Sequence, residues 1–141
     1  MPFKNSNYTG CYAEQLFSAE CLRRNIPVCF PVMDSSPYDC IIEKNGELIK
    51  VQIKSCTKTP CDETPNNIGV PLMNGVKIHY TFENVDYFAI WSEFYDGFFI
   101  FPNTGNMQAV RITLTGERKI WFNNYDFDKN LRYNQLDIFD N

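Results

Sequence analysis

The chain has 141 residues, 44% of them hydrophobic, with 12 Phe, 8 Tyr and 2 Trp. That is the size of one domain with a well-formed core, and no apolar run approaches the ~20 residues of a membrane span. A net charge of −4 excludes a protein that coats nucleic acid through bulk positive charge, and leaves room only for a local basic face.

Residues 1–7, M-P-F-K-N-S-N, read as a polar arm without the apolar core of a secretory signal, so the cytoplasm is the expected compartment. A helix is expected from Thr9 or Gly10 to Arg24. Ala13, Leu16, Phe17, Ala19 and Leu22 give it a partial 3–4 apolar spacing, and Asn25 caps it before Pro27. Glu14 then lies near its first turn, where the helix dipole alone would account for a carboxylate. Val28–Val32 reads as a short apolar strand ended by M-D-S-S-P.

Pro37 to Ser55 carries the clearest local pattern. Tyr38–Glu43 and Leu48–Ser55 read as the two strands of a hairpin closed by Asn45-Gly46. On the second strand Val51 and Ile53 share one face, while Lys50, Gln52 and Lys54 share the other. Thr57–Gly75 holds three prolines and two glycines and resists both helix and long strand. Val76–Phe82 alternates as a strand with Lys77, His79 and Thr81 on one face. Val85–Trp91 and Gly97–Phe101 are nearly continuous apolar runs, as in central strands covered on both sides, with Asp96-Gly97 as turn chemistry. Val110–Leu114 alternates and carries Arg111. Thr115-Gly116 turns, Arg118-Lys119 follow, and Ile120-Trp121-Phe122 is a further apolar run. A short helix is expected over Asp128–Leu136, and Ile138 and Phe139 suggest docking or a dimer contact.

The six cysteines, scattered through these patterns, are expected to be reduced and mostly buried, none of them in a nucleophile setting. Cys56 and Cys61 do not make a zinc ligand set, and His79 is the one histidine.

The hairpin's polar face has chemical content. Asp39 and Gln52 on antiparallel neighbours converge, and a carboxylate, an amide oxygen and the Ile53 carbonyl are hard ligands of the kind Mg²⁺ prefers. Lys54, on the face of Gln52, adds an ammonium beside them. Metal plus lysine is a common way to bind a phosphodiester and activate water. An edge hairpin with a solvated polar face would share this spacing.

Pro37-Tyr38-Asp39 followed by Gln52-Ile53-Lys54 resembles the PD-(D/E)XK, or restriction-endonuclease-like, nuclease superfamily, in the variant where glutamine replaces the second acidic residue. Upstream, Gly10–Val28 is similar to that family's first helix, with its acidic residue Glu14, leading into the first strand. Downstream, Asp86–Trp91 and Gly97–Pro102 are similar to paired strands of small group I intron homing endonucleases and archaeal Holliday junction resolvases. The likeness spans about residues 8–102.

The resemblance implies an α/β fold in a single domain over 1–141, with a mixed central β-sheet, an N-terminal helix, and appended strands and a C-terminal segment over 103–141. It implies a metal-dependent DNA endonuclease using Mg²⁺, with Mn²⁺ able to substitute. The expected metal ligands are Asp39, Gln52, the Ile53 carbonyl and Glu14; Lys54 is the catalytic lysine. Double-stranded or branched DNA is the expected partner, with a homodimer or homotetramer, because cutting two strands takes two copies of one small site. A homing-type enzyme is the first expectation and a Holliday junction resolvase the second. Gln52 removes a negative charge, which keeps open an inactive nucleic-acid-binding module on the same scaffold. Expected DNA contacts are Lys50, Ser55, Lys58, Lys77, His79, Arg111, Arg118 and Lys119. His79 reads equally as an ordinary strand-face histidine, and the late basic cluster as a solvated hairpin.

Overall fold

Helix α1 (Ser6–Arg23) starts inside what reads as a polar arm because Asn5 caps it. The Asn5 side chain accepts hydrogen bonds from the Asn7 and Tyr8 backbone N–H groups at 3.0 and 3.4 Å. The computed structural model describes residues 3–73 and 80–128. At the helix C-terminus Asn25 takes the left-handed conformation at φ 62°. The Ile26 N–H donates to the Cys21 carbonyl at 2.9 Å and the Asn25 N–H to Leu22 at 3.0 Å, which is a Schellman closure. The inward stripe is Thr9, Ala13, Phe17 and Cys21, every fourth residue. Ala19 and Leu22, expected to join it, face solvent, with Leu22 61% exposed. A threonine and a thiol occupy the inner positions that apolar counting assigned to larger side chains.

Seven strands are present among the described residues. They are β1 (Val28–Cys29), β2 (Cys40–Lys44), β3 (Glu47–Cys56), β4 (Ile68–Pro71), β5 (Tyr87–Ser92), β6 (Gly97–Pro102) and β7 (Ala109–Ile112). Five form the central sheet in the order β1-β2-β3-β5-β6, with β3 and β5 parallel and every other neighbour antiparallel. The fold is therefore α/β of restriction-endonuclease type, with a mixed sheet and an early helix. Asn45 at φ 56° and Gly46 at φ 77° close the β2–β3 hairpin between the paired Lys44 and Glu47. That double left-handed turn matches the strand twist, and the Asn-Gly pair selects it.

The parallel pairing is pinned at its start by Asp86. Its N–H donates to the Lys50 carbonyl at 2.9 Å, and its carboxylate accepts from the Lys50 N–H at 2.9 Å. From there the register runs from Val51↔Tyr87 to Cys56↔Ser92. Every residue of β5 and β6 is buried, as their unbroken apolar runs require.

One sheet face packs on α1. Phe17 sits there, fully buried, between Phe98 at 5.5 Å and Tyr125 at 6.0 Å between ring centroids. The opposite face, with Phe88, Ile90, Phe99 and Phe101, is covered by a two-stranded sheet of β4 and β7 and by Trp121. Trp121 stacks on Phe101 at 4.6 Å. Burying one such side chain contributes on the order of 2–3 kcal/mol.

Several expectations are corrected. The Val28–Val32 strand ends at Cys29, because Pro31 cannot extend a ladder and Phe30, Val32 and Met33 turn outward. The Thr57–Gly75 segment contains β4, paired antiparallel with β7 from Ile68↔Ile112 to Pro71↔Ala109. The apolar run Ile120-Trp121-Phe122 falls on a turn of 3-10 helix, Glu117–Trp121, and Phe122 makes a bridge to Phe99. Residues 76–79 of the Val76–Phe82 strand, and the Asp128–Leu136 helix beyond its first residue, lie outside the described residues, as do Ile138 and Phe139. Tyr80 and Thr81 are irregular, and a turn starts at Phe82. All six cysteines are free thiols, but only Cys21, Cys40 and Cys56 are buried. Burial pushes the Cys21 thiol up to about 12, so it is inert at neutral pH. No helix among the described residues is long and apolar enough to cross a membrane.

Candidate active site

Asp39 sits one residue before β2, and its backbone N–H already donates to the Val51 carbonyl at 2.9 Å. The β2–β3 ladder starts at Cys40↔Val51, so Asp39 lies just beyond its end and bonds to the same Val51 that Cys40 faces. Its carboxylate folds onto β3 and accepts a 2.7 Å hydrogen bond from the Ile53 N–H. Val51 and Ile53 therefore turn the same backbone edge toward Asp39, and the Ile53 carbonyl lies on that edge. Side chains alternate as the spacing requires. Val51 and Ile53 enter the core under α1, while Lys50, Gln52 and Lys54 are half-buried.

Glu14 reaches the same place from α1. It stands well past the first turn, which holds no acidic residue, so the dipole reading of this carboxylate does not apply. Burial first, and then the Asp39 charge, raise its pKa. Burial also raises the Asp39 carboxyl, against the lowering pull of the Ile53 N–H and of Lys54. The Lys54 ammonium is lowered by burial and raised by Asp39. These shifts describe two crowded carboxylates, short of countercharge, with one lysine beside them. A pocket of about 160 Å³ opens onto both, lined also by Phe30, Met33, Asp34 and Tyr38. A larger cleft of about 430 Å³ beside Ser55 and Thr57 brings only one carboxylate, Glu93; the chemistry, not the size, picks out the smaller.

The donor set fits a hard divalent cation. Among the described residues no three His, Cys, Asp or Glu side chains group as metal ligands. Asp39 and Glu14 nevertheless sit close enough for the charge of one to raise the pKa of the other, Asp34 lines the same pocket, and the Ile53 backbone adds a neutral oxygen on the edge that Asp39 meets. Such oxygen donors suit Mg²⁺ or Mn²⁺ rather than zinc.

Among the described residues, the expected DNA-contact side chains meet different partners. Lys50 directs its ammonium to the Glu83 carbonyl, a structural task at the crossover into β5. Lys58 is exposed and donates to the Gly69 carbonyl at 3.3 Å. Arg111 donates to the Asn67 side chain at 2.8 Å. Arg118 donates to the Arg111 carbonyl at 3.1 Å and lies over Trp121. Arg111 and Arg118 share one cleft, whereas Lys119 lines another with Arg24 and Lys44. Ser55 is half-buried beside the larger cleft, and Lys77 and His79 lie outside the described residues.

Sequence reasoning missed Tyr80. The Lys54 ammonium lies 5.2 Å from its ring centroid, and burial, followed by the Asp39 charge, raises its phenol pKa. It also missed Asn103, buried and bonded to the segment that carries Tyr80. No local signal marks either residue, because each meets its partners only through the crossover from β3 to β5.

A mixed sheet carrying paired acidic and lysine side chains at the end of a hairpin, with a helix supplying a further carboxylate, defines a nuclease scaffold. Residues 4–125 match the family model described as PD-(D/E)XK endonuclease, and the chain belongs to that family. Among solved structures it is similar to a bacterial homing endonuclease, I-Ssp6803I, with a TM-score of 0.70 and 19% identity, over 96% of this chain and 99% of that one. At that identity the likeness is one of fold. A comparison with curated proteins finds no match.

Proposed function

We propose that this chain is a divalent-metal-dependent DNA endonuclease that hydrolyses phosphodiester bonds, of the site-specific homing type. The observation that carries this is the clamp of Asp39 by the Ile53 N–H, which sets its carboxylate beside Glu14 and Lys54 on one edge of the sheet. The similarity to a homing endonuclease over nearly the whole of both chains favours that subclass.

Asp39, Glu14, the Gln52 amide and the Ile53 carbonyl would hold Mg²⁺, with Mn²⁺ able to substitute. The chemistry such an ion supplies when bound is charge neutralisation at the scissile phosphate and a lowered pKa for an attacking water. Lys54 presents an ammonium beside Asp39, placed to donate to a non-bridging phosphate oxygen as negative charge builds up. The Ile53 N–H keeps Asp39 in one rotamer, so the carboxylate needs no reordering when substrate arrives. Two-strand cutting takes two such sites, so the working form is a homodimer or homotetramer.

Gln52 favours one competing reading, a module of this scaffold that binds nucleic acid without cutting it. Calorimetric titration of Mg²⁺ into the DNA-bound chain separates the two. Binding that disappears in Asp39→Asn supports the nuclease, and no binding at millimolar ion supports the module. Subclass is read by cleavage of a four-way junction against its matching linear duplexes. A strong preference for the junction would replace homing with Holliday junction resolution.

A further inference from the structure

Tyr80 is fixed from three sides. Its carbonyl accepts from Asn103 Nδ2 at 2.9 Å, and Asn103, 2% exposed, also donates to the Thr81 and Val85 carbonyls. Its ring meets Phe88 edge-on at 5.8 Å, and Phe88 is the β5 residue in register with Gln52. The ring also lies against Lys54, whose ammonium is 5.2 Å from the ring centroid, within cation–π range. A residue distant in sequence thus rests on the candidate catalytic lysine and lies in the field of the candidate metal-binding carboxylate.

A lysine ends in a flexible four-carbon stem, and a half-buried ammonium left to itself samples rotamers that lead to water. The aromatic face removes that freedom. We infer that Tyr80 is a positioning residue for Lys54: its ring holds the ammonium beside Asp39, so that the cation is in place before the scissile phosphate arrives. The role needs the ring and not the hydroxyl. It rests on the nuclease reading of the site.

The test uses the full chain and two readouts. The first is made without metal or DNA. Lysines are dimethylated with an isotope-labelled reagent, and the Lys54 resonance is assigned by its loss in Lys54→Arg. The account expects a ring-current shift of that resonance in wild type and Tyr80→Phe, and its return to the position of exposed lysines in Tyr80→Leu. The second is single-turnover cleavage with Mg²⁺ on duplexes recovered as cut from a randomised library. Tyr80→Leu should slow the chemical step by roughly 10- to 100-fold, the scale of a misplaced catalytic group, with DNA affinity within about twofold. Tyr80→Phe should restore the rate to within about threefold, and Tyr80→Leu should cost nothing further in a Lys54→Met background.

A wild type without the shift, Tyr80→Phe as impaired as Tyr80→Leu, or an undiminished loss in the Lys54→Met background would each overturn the inference. A wild type that shows the shift but cuts no member of the library would overturn the nuclease reading instead.

Discussion

Asn103→Ala probes the crossover that brings Tyr80 to Lys54. The Asn103 side chain makes four contacts: Nδ2 donates to the Tyr80, Thr81 and Val85 carbonyls at 2.9, 3.2 and 2.9 Å, and Oδ1 accepts from the Gly105 N–H at 2.9 Å. Two amide hydrogens serve three acceptors, so the loss is close to three full hydrogen bonds, each worth about 1 kcal/mol net. Thr81 is exposed and Tyr80 half-exposed, so water can re-satisfy their carbonyls, but Val85 is fully buried and its carbonyl would be stranded. The expected cost is about 3 kcal/mol. For a chain of 141 residues that lowers Tm by roughly 6–10 °C. Urea unfolding followed by the fluorescence of Trp91 and Trp121, buried on opposite faces of the sheet, measures it directly. A loss below about 0.5 kcal/mol, under the worth of a single hydrogen bond, would refute the idea that Asn103 is the clamp of this segment.

Burial raises the Asp39 carboxyl, so in the folded state the neutral form is favoured relative to the unfolded chain. That contribution is full below the unfolded pKa and is lost as pH rises through the folded value, which leaves a stability deficit at pH 7 in metal-free protein. Asp39→Asn should therefore raise Tm in EDTA by a few degrees, about 1 kcal/mol, and a fall would contradict the electrostatic picture. Mg²⁺ at one hundred times its Kd should stabilise wild type by about 2.7 kcal/mol, or roughly 8 °C, and leave Asp39→Asn unmoved. Because the Glu14 and Asp39 carboxyls are both raised, Mg²⁺ affinity followed by calorimetry should fall on acidification from above the ordinary carboxylate range. Gly97→Ala sets a Cβ 2.5 Å from Phe122 and 2.8 Å from the Asn123 side chain, and should cost about 1–3 kcal/mol in urea unfolding. Gly10→Ala meets nothing within 4 Å in the interior of α1, and should stabilise by about 0.5–1 kcal/mol. Equal effects of the two substitutions would contradict that packing.

What could be read in the sequence is what local physics decides. The β2–β3 hairpin follows from Asn45-Gly46 and two-residue alternation, and β5 and β6 from apolar runs too long for an exposed strand. Asp39 meets the Ile53 N–H and lies near Lys54 because the hairpin sets the end of one strand against the other. What could not be read depends on distant partners. Strand β4 is four residues containing a glycine and a proline, and it exists because β7 pairs with it across the rest of the fold. Lys50 lies on the polar face with Lys54, yet the crossover supplies it with the Glu83 carbonyl, while Lys54 meets an aromatic ring. Identical residues at alternate positions thus take different roles for reasons outside their strand. The helix start was legible in principle, since Asn5 is a good cap, but apolar spacing weighed against it.

The central claim is that Asp39 and Lys54 drive metal-dependent cleavage of DNA. Its most direct test is sequencing of the cut ends produced from a randomised duplex library by wild type, Asp39→Asn and Lys54→Met, each with Mg²⁺ and with EDTA, alongside their DNA affinities. The account predicts full-rate cutting by wild type with Mg²⁺ only, no cut ends from Asp39→Asn, and only slow residual cutting by Lys54→Met, although both variants still bind the recovered target. Cleavage by wild type in EDTA, or by either variant at the wild-type rate, would contradict it.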